Sequence, residues 1–215
     1  MHVMQRNKRP RGRPPTRTPE ETRALVLESA AEVIADPAVS RSRIDAIASH
    51  AGISKRTLYE LFGSKEELLA AFIRSRRDDL LHLTEAAPPA DSGEVETILR
   101  RFLHAIARHV LSPVSVGTFR LVTATACTSP GLARSFQREG PGRSVEILSA
   151  WLGEQRDRGL LRLADPDTAA AMLLSMATAQ PLRDAVLGLA PIPTPADAEA
   201  HADRALDLFL NGCRP

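Results

Sequence analysis

A chain of 215 residues is long enough for one or two modest domains with a packed interior. Apolar residues make up 43% with few aromatics, which favours packed helices over sheets, and no apolar run approaches the ~20 residues of a bilayer span. The net charge of +2 hides an uneven distribution: residues 1–17 carry six basic side chains and no acid, while 18–62 and the remainder stand at −2 each, so attraction for phosphates is concentrated in the N-terminal arm.

The arm, Lys8-Arg9-Pro10-Arg11-Gly12-Arg13-Pro14-Pro15, contains an Arg-Gly-Arg-Pro core that resembles an AT-hook. Glycine lets such a backbone lie close to the minor-groove floor, while Arg11 and Arg13 enter a narrow, electronegative groove. Residues 1–17 are expected to be a disordered basic arm in the absence of DNA. No apolar segment follows the arm as in a secretory leader, and the expected location is the cytoplasm. A first helix opens at Thr18-Pro19-Glu20-Glu21, an N-cap, a proline at the first helical position and a capping-box Glu, and Asp36-Pro37 ends it.

Between Arg43 and Ala51, the residues Ile44, Ile47, Ala48 and Ala51 share one helical face. Gly52 then allows a sharp turn, and Ser54 is suited to cap a short helix over Lys55 to Phe62. Leu58 and Phe62 face its core side, which leaves Lys55, Arg56, Thr57 and Tyr59 outward. This is the pattern of a helix-turn-helix, whose second helix lies in the major groove of DNA.

The run Ile47-Ala48, Ala51-Gly52-Ile53-Ser54, Thr57-Leu58-Tyr59, Phe62 and Ser64-Lys65-Glu66-Glu67-Leu68 resembles the N-terminal domain of the tetracycline-repressor (TetR) family. The resemblance implies a homodimer on a pseudo-palindromic operator in double-stranded DNA, with Tyr59 and Lys65 holding phosphates. From the residues themselves, the Ser54 helix end also suits phosphate, and Lys55, Arg56 and Thr57 suit base edges, with Arg56 toward guanine. Ser42 and Arg43, at the entry to the first of the two helices, complete the expected DNA-contacting set. Two departures stand out. Family members usually carry His or Tyr where this chain has Leu61, whose side chain suits inward packing. Glu60 brings a negative charge close to the groove, where a carboxylate can accept a hydrogen bond from a cytosine amino group.

Ser64-Lys65-Glu66-Glu67 reads as a second capping box and opens a long fourth helix; residues 86–93 read as a loop. Cap-plus-proline pairs then recur at Ser112-Pro113, Ser129-Pro130, Asp165-Pro166 and Thr194-Pro195, and Gly140, Gly159, Gly188 and Gly212 fall where helices should stop. The implied helices span about 94–111, 113–127, 130–139, 142–158, 166–187 and 195–211. In the first of these, Ile98, Phe102, Ile106 and either Ala105 or His109 are expected along one side. Pro181 should kink the fifth. Arg120-Leu121-Val122, Leu132-Ala133, Gly140-Pro141-Gly142-Arg143 and Ala150-Trp151-Leu152 resemble more loosely the C-terminal domains of the AefR-like branch of the same family.

The expected fold class is all-α: a three-helix helix-turn-helix DNA-binding domain over 18–64, then a helical ligand-binding and dimerisation domain over 65–215. The last two helices, rich in Ala, Met and Leu, are the expected dimer seam. A small, mostly apolar effector is expected inside the helical body, with Phe102, His109, Phe119, Thr123, Trp151, Met172, Met176 and Gln180 as lining residues. No nucleophile-elbow, zinc-protease, dinucleotide or P-loop string occurs, and Cys127 and Cys213 form neither CxxC nor metal-ligand spacing, so neither an enzyme nor a cofactor is expected. A ligand-released repressor is therefore favoured over an effector-free binder, an activator or partner-controlled regulator, and over an all-α enzyme.

Overall fold

The computed structural model describes residues 17–36, 43–81 and 88–213, except the side chains of 43, 77–81 and 213. The expectations for Arg11, Arg13, Ser42, the remainder of the 1–17 arm up to residue 16, and the side chain of Arg43 lie outside this set. The described residues form ten α-helices and no strand: α1 Pro19–Ala35, α2 Arg43–His50, α3 Lys55–Phe62, α4 Lys65–Leu81, α5 Ser92–Val110, α6 Pro113–Thr125, α7 Pro130–Glu139, α8 Pro141–Asp157, α9 Pro166–Leu187 and α10 Pro195–Cys213. The fold class is all-α.

Several helix starts follow from local chemistry legible in the sequence. The Thr18 hydroxyl accepts from the Glu21 backbone N–H at 3.1 Å and the Glu21 carboxylate accepts from Thr18 N–H at 2.8 Å, a complete capping box. Ser112 and Thr194 cap α6 and α10 through the N–H of Ser115 and Asp197. Ser129 stands before Pro130 as expected but makes no side-chain cap bond, so α7 starts on its proline alone. The α5 helix begins earlier than 94 and shortens the preceding loop, because Asp91 Oδ1 accepts from both Gly93 and Glu94 N–H.

Helix ends depart further from local rules. Gly188 closes α9 in a left-handed conformation at φ 72°, the expected use of glycine at a helix terminus. Gly212 does not stop α10, which runs on to Cys213; glycine permits a left-handed turn but does not impose one. The α6 helix stops at Thr125, two residues early, where Ala126 N–H and Thr128 N–H donate to carbonyls only three residues back, those of Thr123 and Thr125, and the chain tightens into a turn. Helix α9 runs through Pro181 and continues to Leu187.

Two apolar cores organise the chain. One joins α5, α8, α9 and α10 around Leu99, Leu103, Leu148, Leu152, Leu173 and Leu206. The buried face of α5 is broader than the expected single line: Val95, Leu99, Leu103 and Ala107 are buried beside Phe102 and Ile106, whereas Ala105 and His109 are half-buried. Packing against two neighbours rather than one widens the stripe. The other core gathers α1 to α4 around Val26, Ile34, Ile47, Leu58, Phe62, Leu68 and Phe72. It does not close on these helices alone, since Leu121 and Val122 of α6 and Leu132 of α7 complete it. Here α1 and α6 approach so closely that a Cβ on Gly117 would lie 2.1 Å from the Ile34 carbonyl oxygen. Behind that contact, Arg120 of α6 donates through Nε to the Val186 carbonyl at 3.0 Å and through its terminal nitrogen to the Ala185 carbonyl, which ties α6 to the end of α9.

Candidate nucleic-acid interface

The turn between α2 and α3 is built by backbone bonds that fold it back on α2. Gly52 N–H donates to Ser49 O at 3.1 Å and Ile53 N–H to Ala48 O at 3.0 Å, with Gly52 at φ 67°, where a side chain would be strained. Ile53 then packs against the core. The Ser54 hydroxyl accepts from Thr57 N–H at 3.0 Å and caps α3. Leu58 and Phe62, both buried, anchor the helix from beneath. Lys55, Arg56, Tyr59 and Glu60 are left exposed.

The outward side chains differ in freedom. Lys55 Nζ lies 2.8 Å from Asp45 Oδ1, so the ammonium is tied back to α2; that hydrogen bond, reinforced by the carboxylate's charge, raises the Lys55 pKa. The Thr57 and Ser54 hydroxyls are 2.9 Å apart, which turns Thr57 toward its own cap. Arg56 Nε lies 2.8 Å from Glu60 Oε1, one helical turn on. Tyr59 and Lys65 flank this face, Tyr59 exposed and Lys65 half-buried at the first position of α4. Leu61 is half-buried against the core, in keeping with an inward-packing side chain.

Three supporting contacts were not legible from sequence. Arg23 of α1 donates through a terminal guanidinium nitrogen to the Leu61 carbonyl at 2.8 Å and sits 4.2 Å from the centroid of the Phe62 ring, which pins the far end of α3. Asp45 holds Lys55 across the turn. His50 of α2 lies 3.1 Å from Glu32 of α1. These partners are ten to nearly forty positions apart, and no local spacing rule links them.

The expected effector residues are not gathered around one space. Phe102 and Trp151 are buried within the α5–α8–α9–α10 core. Phe119 packs edge-to-face on Phe136 with centroids 5.8 Å apart, and the Thr123 hydroxyl donates to the Phe119 carbonyl. His109 is half-buried near the end of α5, and Met172, Met176 and Gln180 are exposed on α9. A cavity of about 100 Å³ lies elsewhere, between α1, α6 and the α9–α10 connection, lined by Ile34, Ala35, Pro113, Val116, Gly117, Arg120 and Ile192. Among the described residues no three His, Cys, Asp or Glu side chains converge as a metal site, and no helix is long and apolar enough to cross a membrane.

Two short helices on a glycine turn, the second capped and polar on its outer face, joined to a helical body, define a helix-turn-helix regulatory protein. The family described as bacterial regulatory proteins, tetR family, matches residues 26–72, and the one described as AefR-like transcriptional repressor, C-terminal domain, matches 97–212. The chain belongs to the TetR family of transcriptional regulators, with an AefR-like C-terminal domain, a family of regulators rather than enzymes.

Among its relatives, the HTH-type transcriptional repressor SCO4008 of Streptomyces coelicolor is 32% identical over 93 residues, 43% of this chain and 46% of that protein. The uncharacterized HTH-type transcriptional regulator Rv1556 of Mycobacterium tuberculosis is 30% identical over 143 residues, 66% of this chain and 65% of its own. The chain thus spans about half to two thirds of the length of these curated relatives. Among solved structures, the flavonoid-responsive regulator FrrA is 29% identical with a TM-score of 0.65, covering 91% of this chain and 98% of that one. A TetR-family regulator from Mesorhizobium loti superposes with a TM-score of 0.77 at 22% identity, covering 93% and 100%, and shares the fold.

Proposed function

We propose that this protein is a homodimeric repressor that binds a pseudo-palindromic operator in the cytoplasm and is released from it by a small hydrophobic ligand. The DNA-reading unit is residues 18–64, and 65–215 form the regulatory and dimerisation body. Two copies of α3 would enter successive major grooves about 34–36 Å apart. Tyr59, Lys65 and the Ser54 end of α3 would hold phosphates and Arg56 would meet base edges, aided by Arg11, Arg13, Ser42 and Arg43. With its ammonium held by Asp45, Lys55 is better suited to a phosphate than to a base.

The observation that carries ligand release is the shared core. Because Leu121, Val122 and Leu132 complete the packing of α1 to α4, a shift of α6 or α7 cannot leave the reading head where it was. Repression is the activity in the name of the Streptomyces relative and supports that sign of regulation here; response to a flavonoid, in the name of FrrA, supports a small apolar effector. The dimer is supported by the large apolar side chains that α9 and α10 leave exposed, Met172 at 61% and Leu208 at 70%.

A gel-shift titration of the purified protein on the duplex upstream of its own gene, with and without a panel of flavonoid-like and other hydrophobic compounds, tests this. A sequence-selective shift that one compound abolishes is expected. A shift that no compound changes would replace ligand release with control by a partner protein, and no selective shift would remove the DNA-binding reading.

A further inference from the structure

We propose that Arg56 and Glu60 read DNA as a single unit, specifying a guanine and a cytosine on adjacent base pairs of each half-site. The inference rests on the DNA-binding reading above and deepens it, since it says which residues of α3 set its sequence preference.

Of the polar side chains on the outer face of α3, two are already engaged with the scaffold: Lys55 with Asp45 and Thr57 with its own cap. Arg56 and Glu60 are engaged only with each other in the contacts described, and both project into solvent, with side chains 89% and 59% exposed. Helix stability does not account for the pair. An exposed ion pair four residues apart contributes little, and a basic residue preceding an acidic one is the less favourable order along a helix. Nor does general affinity for DNA, since a carboxylate facing the groove repels phosphates.

The geometry suits base readout instead. The contact uses Arg56 Nε, so the edge formed by the two terminal nitrogens remains turned to solvent and can donate to guanine O6 and N7. It uses one carboxylate oxygen of Glu60, so the second can accept from the amino group of cytosine N4. Four residues advance a helix by about 6 Å, and base pairs stack about 3.4 Å apart. Two side chains that lean together across that turn therefore reach neighbouring base pairs. Glu60 also acts by exclusion: guanine O6 and N7 or thymine O4 in the cytosine position would set acceptor against acceptor. With its carboxylate held at Nε, Glu60 also limits the rotamers open to Arg56, so its loss loosens the guanine preference as well.

Selection from a pool of random duplexes by the full-length protein tests this with the wild type, Glu60→Gln, Glu60→Ala and Arg56→Ala. Both positions are exposed, and far-UV circular dichroism checks that each variant remains helical. The wild type should select half-sites with guanine beside cytosine. Glu60→Gln should keep the guanine and exchange cytosine for adenine, whose N6 and N7 a glutamine amide matches. Glu60→Ala should lose about ten-fold discrimination at the cytosine position and weaken that for guanine, the scale of one good base contact. Arg56→Ala should lose the guanine preference. If Glu60→Ala binds every duplex more tightly with unchanged base preferences, Glu60 is only a charge near the backbone and the unit does not exist. Wild-type half-sites that lack the adjacent guanine and cytosine would overturn it equally. A wild type that selects no sequence at all overturns the DNA-binding reading itself, an outcome distinct from either.

Discussion

Arg23 shows how a single side chain outside the motif can set the motif's position. Its guanidinium is planar, so it can donate in-plane to the Leu61 carbonyl while lying over the Phe62 ring, and both contacts fall at the end of α3. Replacing it with alanine should lower stability by about 1 kcal/mol, the sum of one charged hydrogen bond and one cation–π contact discounted for exposure. Operator affinity should fall alike for all base sequences, because the helix loses its seat but not its reading edge. Arg23→Lys should not restore it, since an ammonium cannot make both contacts at once. Thermal melts and gel shifts on matched and mismatched duplexes check this; a change in base preference would make Arg23 a reader instead. The outward positions of Lys55, Arg56 and Tyr59 on α3 were legible because Leu58 and Phe62 fix which face is buried; Thr57, expected among them, is half-buried and turned to the Ser54 cap. The pairing of Lys55 with Asp45 was not legible, since it depends on how tightly the turn at Gly52 closes.

Helices α5 and α10 are joined along one edge by charge. Asp203 accepts from His104 at 2.7 Å and lies in an ion pair with Arg100, which also reaches Glu96 and Asp207; Arg108 pairs with Glu199 further along. Burial alone would raise the Asp203 pKa, but the hydrogen bonds and charges of His104 and Arg100 outweigh it, and the net shift is downward from 3.8. A carboxylate with a depressed folded pKa stabilises the fold above its unfolded value, and that contribution is lost as pH falls through the folded one. Asp203→Asn should therefore melt below the wild type at pH 7, by about 1 kcal/mol or ~2–4 °C in a chain of this size, with the modest value reflecting a side chain 35% exposed. The two should draw together as pH falls past 3.8 and converge only below the depressed folded-state value, where the wild-type carboxyl also becomes neutral. A gap that persists there would trace to packing rather than charge. At this scale the helix starts were readable, because a cap and a proline act through neighbours in sequence. The ends were less so: Gly212 stays helical and α6 ends at Thr125, where the chain tightens into a turn.

For the assembled protein, the exposed apolar side chains of α9 and α10 carry the prediction. Met172→Glu with Leu208→Glu should convert a dimer into a monomer in analytical ultracentrifugation and abolish tight operator binding, because a single head lacks its second groove. Circular dichroism should be unchanged, since neither side chain enters the core. A variant that still sediments as a dimer would move the seam elsewhere. Composition and periodicity made the all-helical architecture plain. They did not reveal the body's contribution to the head's interior, because Leu121, Val122 and Leu132 read only as ordinary apolar positions until α6 and α7 are brought against α1 to α4.

That arrangement bears on how the molecule is made. Helices α1 to α4 leave the ribosome first, yet the three side chains that finish their interior are added only when α6 and α7 follow. Until then the nascent head holds an unfilled apolar flank, and contacts between residues some ninety positions apart form slowly. A fragment cut after α4 should therefore be prone to aggregation and dependent on chaperones, and the body acts as the template on which the reading head matures.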